Sequence, residues 1–105
     1  MSRTSAAPVI VSCAMAEEAE PFLDALPERA AAKAPNLPGS AHAWSLQLPG
    51  DERELILVRS GIGLVAAASA LATVLAQVRP GAVVSAGTTG GLGRQVEVGD
   101  VCASA

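Results

Sequence analysis

The sequence predicts an α/β fold, and three observations predict it. Residues 55–58 (LILV) and 82–86 (AVVSA) are short apolar runs, joined by an Ala-rich segment, residues 64–78, that contains no Gly or Pro. A strand–helix–strand unit of this kind sets its two strands parallel. An earlier apolar run, residues 9–13 (VIVSC), leads into an amphipathic segment of its own. Residues 43–48 alternate in polarity before Pro49-Gly50, a type II turn signal that predicts an antiparallel hairpin with 55–58.

Each element has its own warrant. Residues 9–13 read as the first strand. Ala19, Phe22, Leu23 and Leu26 follow at i, i+3, i+4 and i+7, the apolar face of a helix. Glu17, Glu18 and Glu20 gather at its start, where the helix dipole favours negative charge. Pro21 is tolerable only in the first turn, and Pro27 marks the stop. Residues 27–42, with Pro27, Pro35, Pro38 and Gly39, read as a loop with a short helical piece around 28–34. In the hairpin, Trp44, Leu46 and Leu48 share one face of a half-buried strand. Arg79-Pro80-Gly81 ends the Ala-rich helix. Residues 82–86 then read as a strand buried on both faces, followed by a turn near 95–100 and another strand from Val101.

With 105 residues the chain is one domain at most. It divides into a disordered start, residues 1–8, and a folded remainder, residues 9–105. Half of it is hydrophobic but Phe22 and Trp44 are the only aromatics, so packing rests on Ala, Val, Leu and Ile. The net charge of −3 and the lack of a basic block argue against nucleic acid as a partner. Cys13 and Cys102 each lie in an apolar run and read as buried free thiols rather than a disulfide framework. His42 is the only histidine, and no paired Cys motif accompanies it, so no metal site is expected. There is no apolar run of membrane-spanning length, and the first residues do not form a secretory signal, so no membrane partner and a cytoplasmic protein are expected. The last residues read as a strand in progress, as in the N-terminal part of something longer.

Three loops each follow an expected strand: residues 14–18, 60–63 and 87–93. On parallel strands they share one sheet edge, where ligands of open α/β sheets bind. The third loop, Gly87-Thr88-Thr89-Gly90-Gly91-Leu92-Gly93, has four glycines in seven residues. It is either a tight turn or a backbone cradle for a polar ligand. Gly61-Ile62-Gly63-Leu64-Val65-Ala66 matches the dinucleotide fingerprint G-x-G-x-x-A. The acid that should hold a ribose hydroxyl at the next strand end is missing, since that end is Ser85-Ala86-Gly87. A glycine pair for a sharp turn and close helix packing explains the same pattern. Glu17 and Glu18 stand where a carboxylate beside backbone N–H groups stays ionised and can orient water or a sugar hydroxyl. They are also what helix N-termini commonly carry.

Taken together, Cys13-Ala14-Met15-Ala16-Glu17-Glu18, Ser60-Gly61-Ile62-Gly63, Gly87-Thr88-Thr89-Gly90-Gly91-Leu92 and Val98-Gly99-Asp100-Val101 resemble the 5′-methylthioadenosine/S-adenosylhomocysteine nucleosidases of the purine nucleoside and uridine phosphorylase superfamily. The resemblance runs in register from Val9 onward. It implies a three-layer α/β/α fold on a mixed central sheet, of which this chain is an incomplete N-terminal portion. It implies an enzyme that hydrolyses the N-glycosidic bond of 5′-methylthioadenosine and S-adenosylhomocysteine to adenine and the 5-thio-ribose product, a step of methionine salvage. The transition state is an oxocarbenium-like ribose.

On the matching positions, Glu18 is the catalytic base that activates water. Met15 lines the ribose and 5′ side, Ile62 lies near the 5′-alkylthio group, and Thr88 and Gly90 lie by the water and ribose. No cofactor or metal is implied. A homodimer is, with the neighbouring subunit closing the 5′ end. The adenine pocket, the residues that grip the ribose and the Asp that protonates the leaving base match nothing in these residues. The chain alone is therefore expected to be inactive and marginally stable, with unpaired sheet edges.

Departures from the family pattern bear on the reaction. Cys13 stands where the family has Gly. Thr88 and Thr89 replace Ser and Ala, wording closer to the uridine phosphorylase branch. That branch carries a phosphate-binding Arg where this chain has Ser85, and its first loop is not acidic, so water is the expected nucleophile. A purine or uridine phosphorylase, a futalosine hydrolase and a non-catalytic dinucleotide-binding domain remain the alternatives.

Overall fold

The computed structural model describes residues 7–29, 35–37, 39–89 and 92–103. Its elements run β1 (Val9–Cys13), α1 (Ala16–Ala25), β2 (His42–Gln47), β3 (Glu54–Arg59), α2 (Leu64–Leu75) and β4 (Ala82–Ser85). The four strands form one sheet in the order β2-β3-β1-β4. β1 is parallel to β3 on one side and to β4 on the other, while β2 is antiparallel to β3. The sheet is therefore mixed, as expected. The two strands of the strand–helix–strand unit are parallel but not neighbours, because β1 lies between them.

β3 explains the layering. Leu55 and Leu57 are buried on one face with Val11, Cys13, Leu46 and Ala19 of α1. Ile56 and Val58 are buried on the other with Ile10, Ala43, and Ala70 and Val74 of α2. Successive strand residues point to opposite faces, so a run such as LILV needs cover on both. One helix on each face supplies it and makes three layers.

Several local expectations are corrected. Pro21 lies inside α1, beyond its first turn, and the helix continues through it. Both Pro21 and Glu17, whose carbonyl loses its partner, are exposed, so water can satisfy that carbonyl. α2 ends at Leu75, short of 78, and Val78 packs beneath it from outside the helix. Glu28 forms an antiparallel bridge to Leu46 where a helical turn was expected, and residues 30–34 lie outside the described ones. Arg29 N–H donates to Ser45 O at 3.0 Å and Gln47 N–H to Pro27 O at 2.8 Å, which covers part of the outer edge of β2.

β2 is buried on both faces at Ala43, Ser45 and Leu46 rather than on one, because cover reaches it from either side. Ser45 Oγ gives its hydrogen bond to the Glu54 carboxylate. The hairpin turn holds, with Gly50 at φ +68°. β4 is exposed along its whole length, and among the described residues it pairs only with β1, at the edge of the sheet. Residues 101–103 form no strand, and Cys102 is exposed, whereas Cys13 is buried as expected. Of the start, residues 1–6 lie outside the described residues.

Candidate active site

The three loops do meet at one edge. β3, β1 and β4 are parallel neighbours, so residues 60–63, 14–18 and 86–89 leave the sheet side by side, with the β1 loop in the middle. Backbone bonds hold them together. Ser60 N–H donates to Cys13 O at 2.9 Å, Gly61 N–H to Ala14 O at 3.0 Å, and Ala86 N–H to Ser12 O at 2.8 Å. Ser60 is buried, and its hydroxyl reaches Cys13 O at 3.3 Å and Gly61 O at 2.8 Å. Gly61 at φ +92° and Gly63 at φ +108° let the chain turn from β3 into α2.

Glu18 is the centre of this edge. It is the third residue of α1, and Met15 is its N-cap. Oε1 accepts the N–H of Ala14 at 3.0 Å and of Met15 at 3.1 Å. Satisfying free N–H groups at a helix start is the ordinary structural work of an acid here. Oε2 does something else. It leaves its own helix and accepts the Thr88 N–H at 2.9 Å and the Thr88 hydroxyl at 3.2 Å, joining the β1 loop to the β4 loop. The Thr88 N–H, then those of Ala14 and Met15 and the Thr88 hydroxyl, hold the Glu18 carboxyl below its usual value, against a smaller upward push from desolvation. Cys13 lies behind it. Burial pushes this thiol up and the Glu18 carboxylate adds to that, while Arg59 offsets part of it.

Of the residues singled out from sequence, Glu18, Met15 and Thr88 come together. Ile62 lies on the β3 loop with its side chain 78% exposed. Gly90 lies outside the described residues. Two participants were missed. Ala14 is a donor to Glu18 through its backbone, so no side chain could announce it. Gly87 sits so close that a Cβ built on it would stand 3.0 Å from Glu18 Oε2. Its signal was present, since it is the first glycine of the loop, but a sequence does not say which neighbour a glycine makes room for. A shallow depression of about 350 Å³ at residues 75–80 lies beyond the C-terminal end of α2 and holds no acid, so it is set apart from this edge. No cluster of three His, Cys, Asp or Glu capable of holding a metal occurs among the described residues.

The family follows from a match over nearly the whole chain. Residues 8–105 fit the sequence pattern of the Phosphorylase superfamily. The chain belongs to this superfamily. A 5′-methylthioadenosine/S-adenosylhomocysteine nucleosidase from Psychromonas ingrahamii is 42% identical over 52 residues, 50% of this chain and 22% of that protein. The chain thus spans well under half the length of this curated relative. The mixed sheet with a helix on each face is compatible with the superfamily fold. Among the described residues no helix is long and apolar enough to cross a membrane.

Proposed function

We propose that the natural protein hydrolyses the N-glycosidic bond of 5′-methylthioadenosine and related 5′-thio-adenosines such as S-adenosylhomocysteine, in methionine salvage and in the cytoplasm. The observation that carries this reading is the Glu18 carboxylate, held between two loops at the carboxyl edge of parallel strands. Similarity to the Psychromonas nucleosidase supports the choice of substrate. Residues 9–105 would form the N-terminal part of the catalytic domain, and the working enzyme would be a homodimer.

The chemistry suits a carboxylate of low basicity. As the bond from C1′ to the purine nitrogen breaks, the ribose becomes cationic before water bonds to it. A base at this point need not be strong. It must be ionised, aligned and close, because its charge stabilises the ribose cation and it takes the water's proton late. The four N–H and O–H donors keep Glu18 ionised and fix its plane. They also fill its acceptor sites. The Thr88 hydroxyl, at 3.2 Å the longest of the four and exposed, is the contact that water displaces. Thr88 then turns to the ribose. Met15 lines the ribose and 5′ side, Ile62 meets the 5′-alkylthio group and Gly90 lies against the nucleoside. The proton for the leaving adenine is assigned to an Asp outside these residues.

Adenine release from 5′-methylthioadenosine by the natural full-length protein tests the reading. Release at the same rate with and without phosphate, yielding free 5-methylthioribose, is the expected result. Dependence on phosphate would make the protein a phosphorylase. Release from futalosine alone, or tight binding of NAD without turnover, would each support an alternative.

A further inference from the structure

Gly87 carries one more step. Its φ lies outside the left-handed region, so the backbone there does not require glycine. The Glu18 carboxylate lies where a side chain would be: a Cβ would meet Oε2 at 3.0 Å, the carboxyl carbon at 3.7 Å and Oε1 at 4.0 Å. Among the described residues, its two chain neighbours aside, the three nearest heavy atoms all belong to that carboxylate. The next residue, Thr88, makes both inter-loop bonds to the same Oε2.

We infer that Gly87 is a positioning residue for Glu18: its missing side chain leaves the space in which the carboxylate reaches Thr88. This rests on the reading of Glu18 as the base. The atom in the way is the far end of a flexible side chain rather than backbone. An alanine is therefore accommodated by moving the carboxylate, and the fold is spared while the geometry of the base is not. A carboxylate displaced by a few tenths of an ångström weakens its bonds to the Thr88 donors on Oε2 and keeps those of Ala14 and Met15 on Oε1. The ionisable neighbour it acts on is Cys13 on β1, which Arg59 on β3 also influences. Neither is touched by the change.

The experiment is Gly87→Ala, Glu18→Asp and the double variant in the natural full-length protein, assayed with 5′-methylthioadenosine across pH. Gly87→Ala is expected to lower kcat by on the order of tenfold, as misplacement of a reacting group by a fraction of an ångström does, with little change in KM. The acidic limb of kcat is expected to move to higher pH as the bonds from Thr88 weaken. Asp is one methylene shorter and withdraws from the new Cβ. Glu18→Asp is therefore expected to cost less in the Gly87→Ala background than alone. An unchanged kcat and an unmoved limb overturn the inference, as do strictly additive losses. If Gly87→Ala does not fold, recovery of folding in the double variant supports it and failure to recover overturns it. Should Glu18→Gln retain turnover, the catalytic reading falls by itself. The inference is then decided by carbon-13 NMR titration of the Glu18 carboxyl, where an upward shift in Gly87→Ala supports it and none overturns it.

Discussion

The Thr88 N–H donates to Glu18 Oε2 at 2.9 Å, although the two residues are 70 positions apart. The same oxygen accepts the Thr88 hydroxyl at 3.2 Å. An N-terminal helix acid is thereby tied to the loop of another strand, which the needs of a helix cap alone do not explain.

Thr88→Val removes the hydroxyl contact and leaves the N–H. Because the hydroxyl is the smallest of the influences lowering the Glu18 carboxyl in the free protein, the acidic limb of kcat/KM should rise only slightly in pH. Turnover should fall about two- to tenfold, the worth of one hydrogen bond. A fall with no movement of that limb would place the Thr88 hydroxyl on the substrate and not on Glu18.

Glu18 also links pH to stability. Its folded carboxyl is held below the ordinary value, so its stabilising effect is full above the unfolded value, about 4.3 for Glu. It is lost as pH falls through the lower folded value. Chemical denaturation should therefore find Glu18→Gln less stable than the parent at neutral pH, with the gap closing in acid. A gap that is constant with pH would separate the carboxylate from the folding of the loops.

Gly63 is the N-cap of α2 at φ 108° and ψ 158°, a region that essentially only glycine occupies. Among the described residues, its chain neighbours aside, a Cβ there meets nothing within 4 Å. Gly63→Ala should still destabilise by about 1–3 kcal/mol, a cost of backbone strain alone. A denaturation midpoint equal to the parent's would show that the turn into α2 relaxes freely.

Leu57 is fully buried on β3, between β2 and β1 and under α1. Leu57→Ala should cost about 2–5 kcal/mol, through lost burial and the cavity left behind. Denaturant titration reads it as a lower midpoint with an unchanged slope.

Much of the fold was legible because it is local. LILV at β3, the alternation through Trp44 and Leu46, Pro49-Gly50 and the Ala-rich α2 each carry their signal in a few adjacent residues. The misjudged features depend on neighbours. Val83 and Val84 have the composition of a buried strand, but both are exposed, since among the described residues β4 pairs only with β1 at the edge of the sheet. Cys102 sits in an apolar run and yet is exposed. Pro21 is tolerated inside α1 because Glu17, whose carbonyl it orphans, is exposed, so water can reach it. At the site, Glu18 and Thr88 could be named from motifs. Their bond could not, nor could the reason Gly87 is a glycine, since both are contacts between segments that only the parallel pairing of β1 with β4 brings together.

The central claim is that Glu18 activates water at the ribose. The most direct measurement compares Glu18→Gln with the parent in the natural full-length protein, following adenine release from 5′-methylthioadenosine. Gln keeps the size of the side chain but cannot take a proton, so kcat should fall by about 10²–10⁴, with KM nearly unchanged. Turnover within a few-fold of the parent would contradict the account and place the base elsewhere.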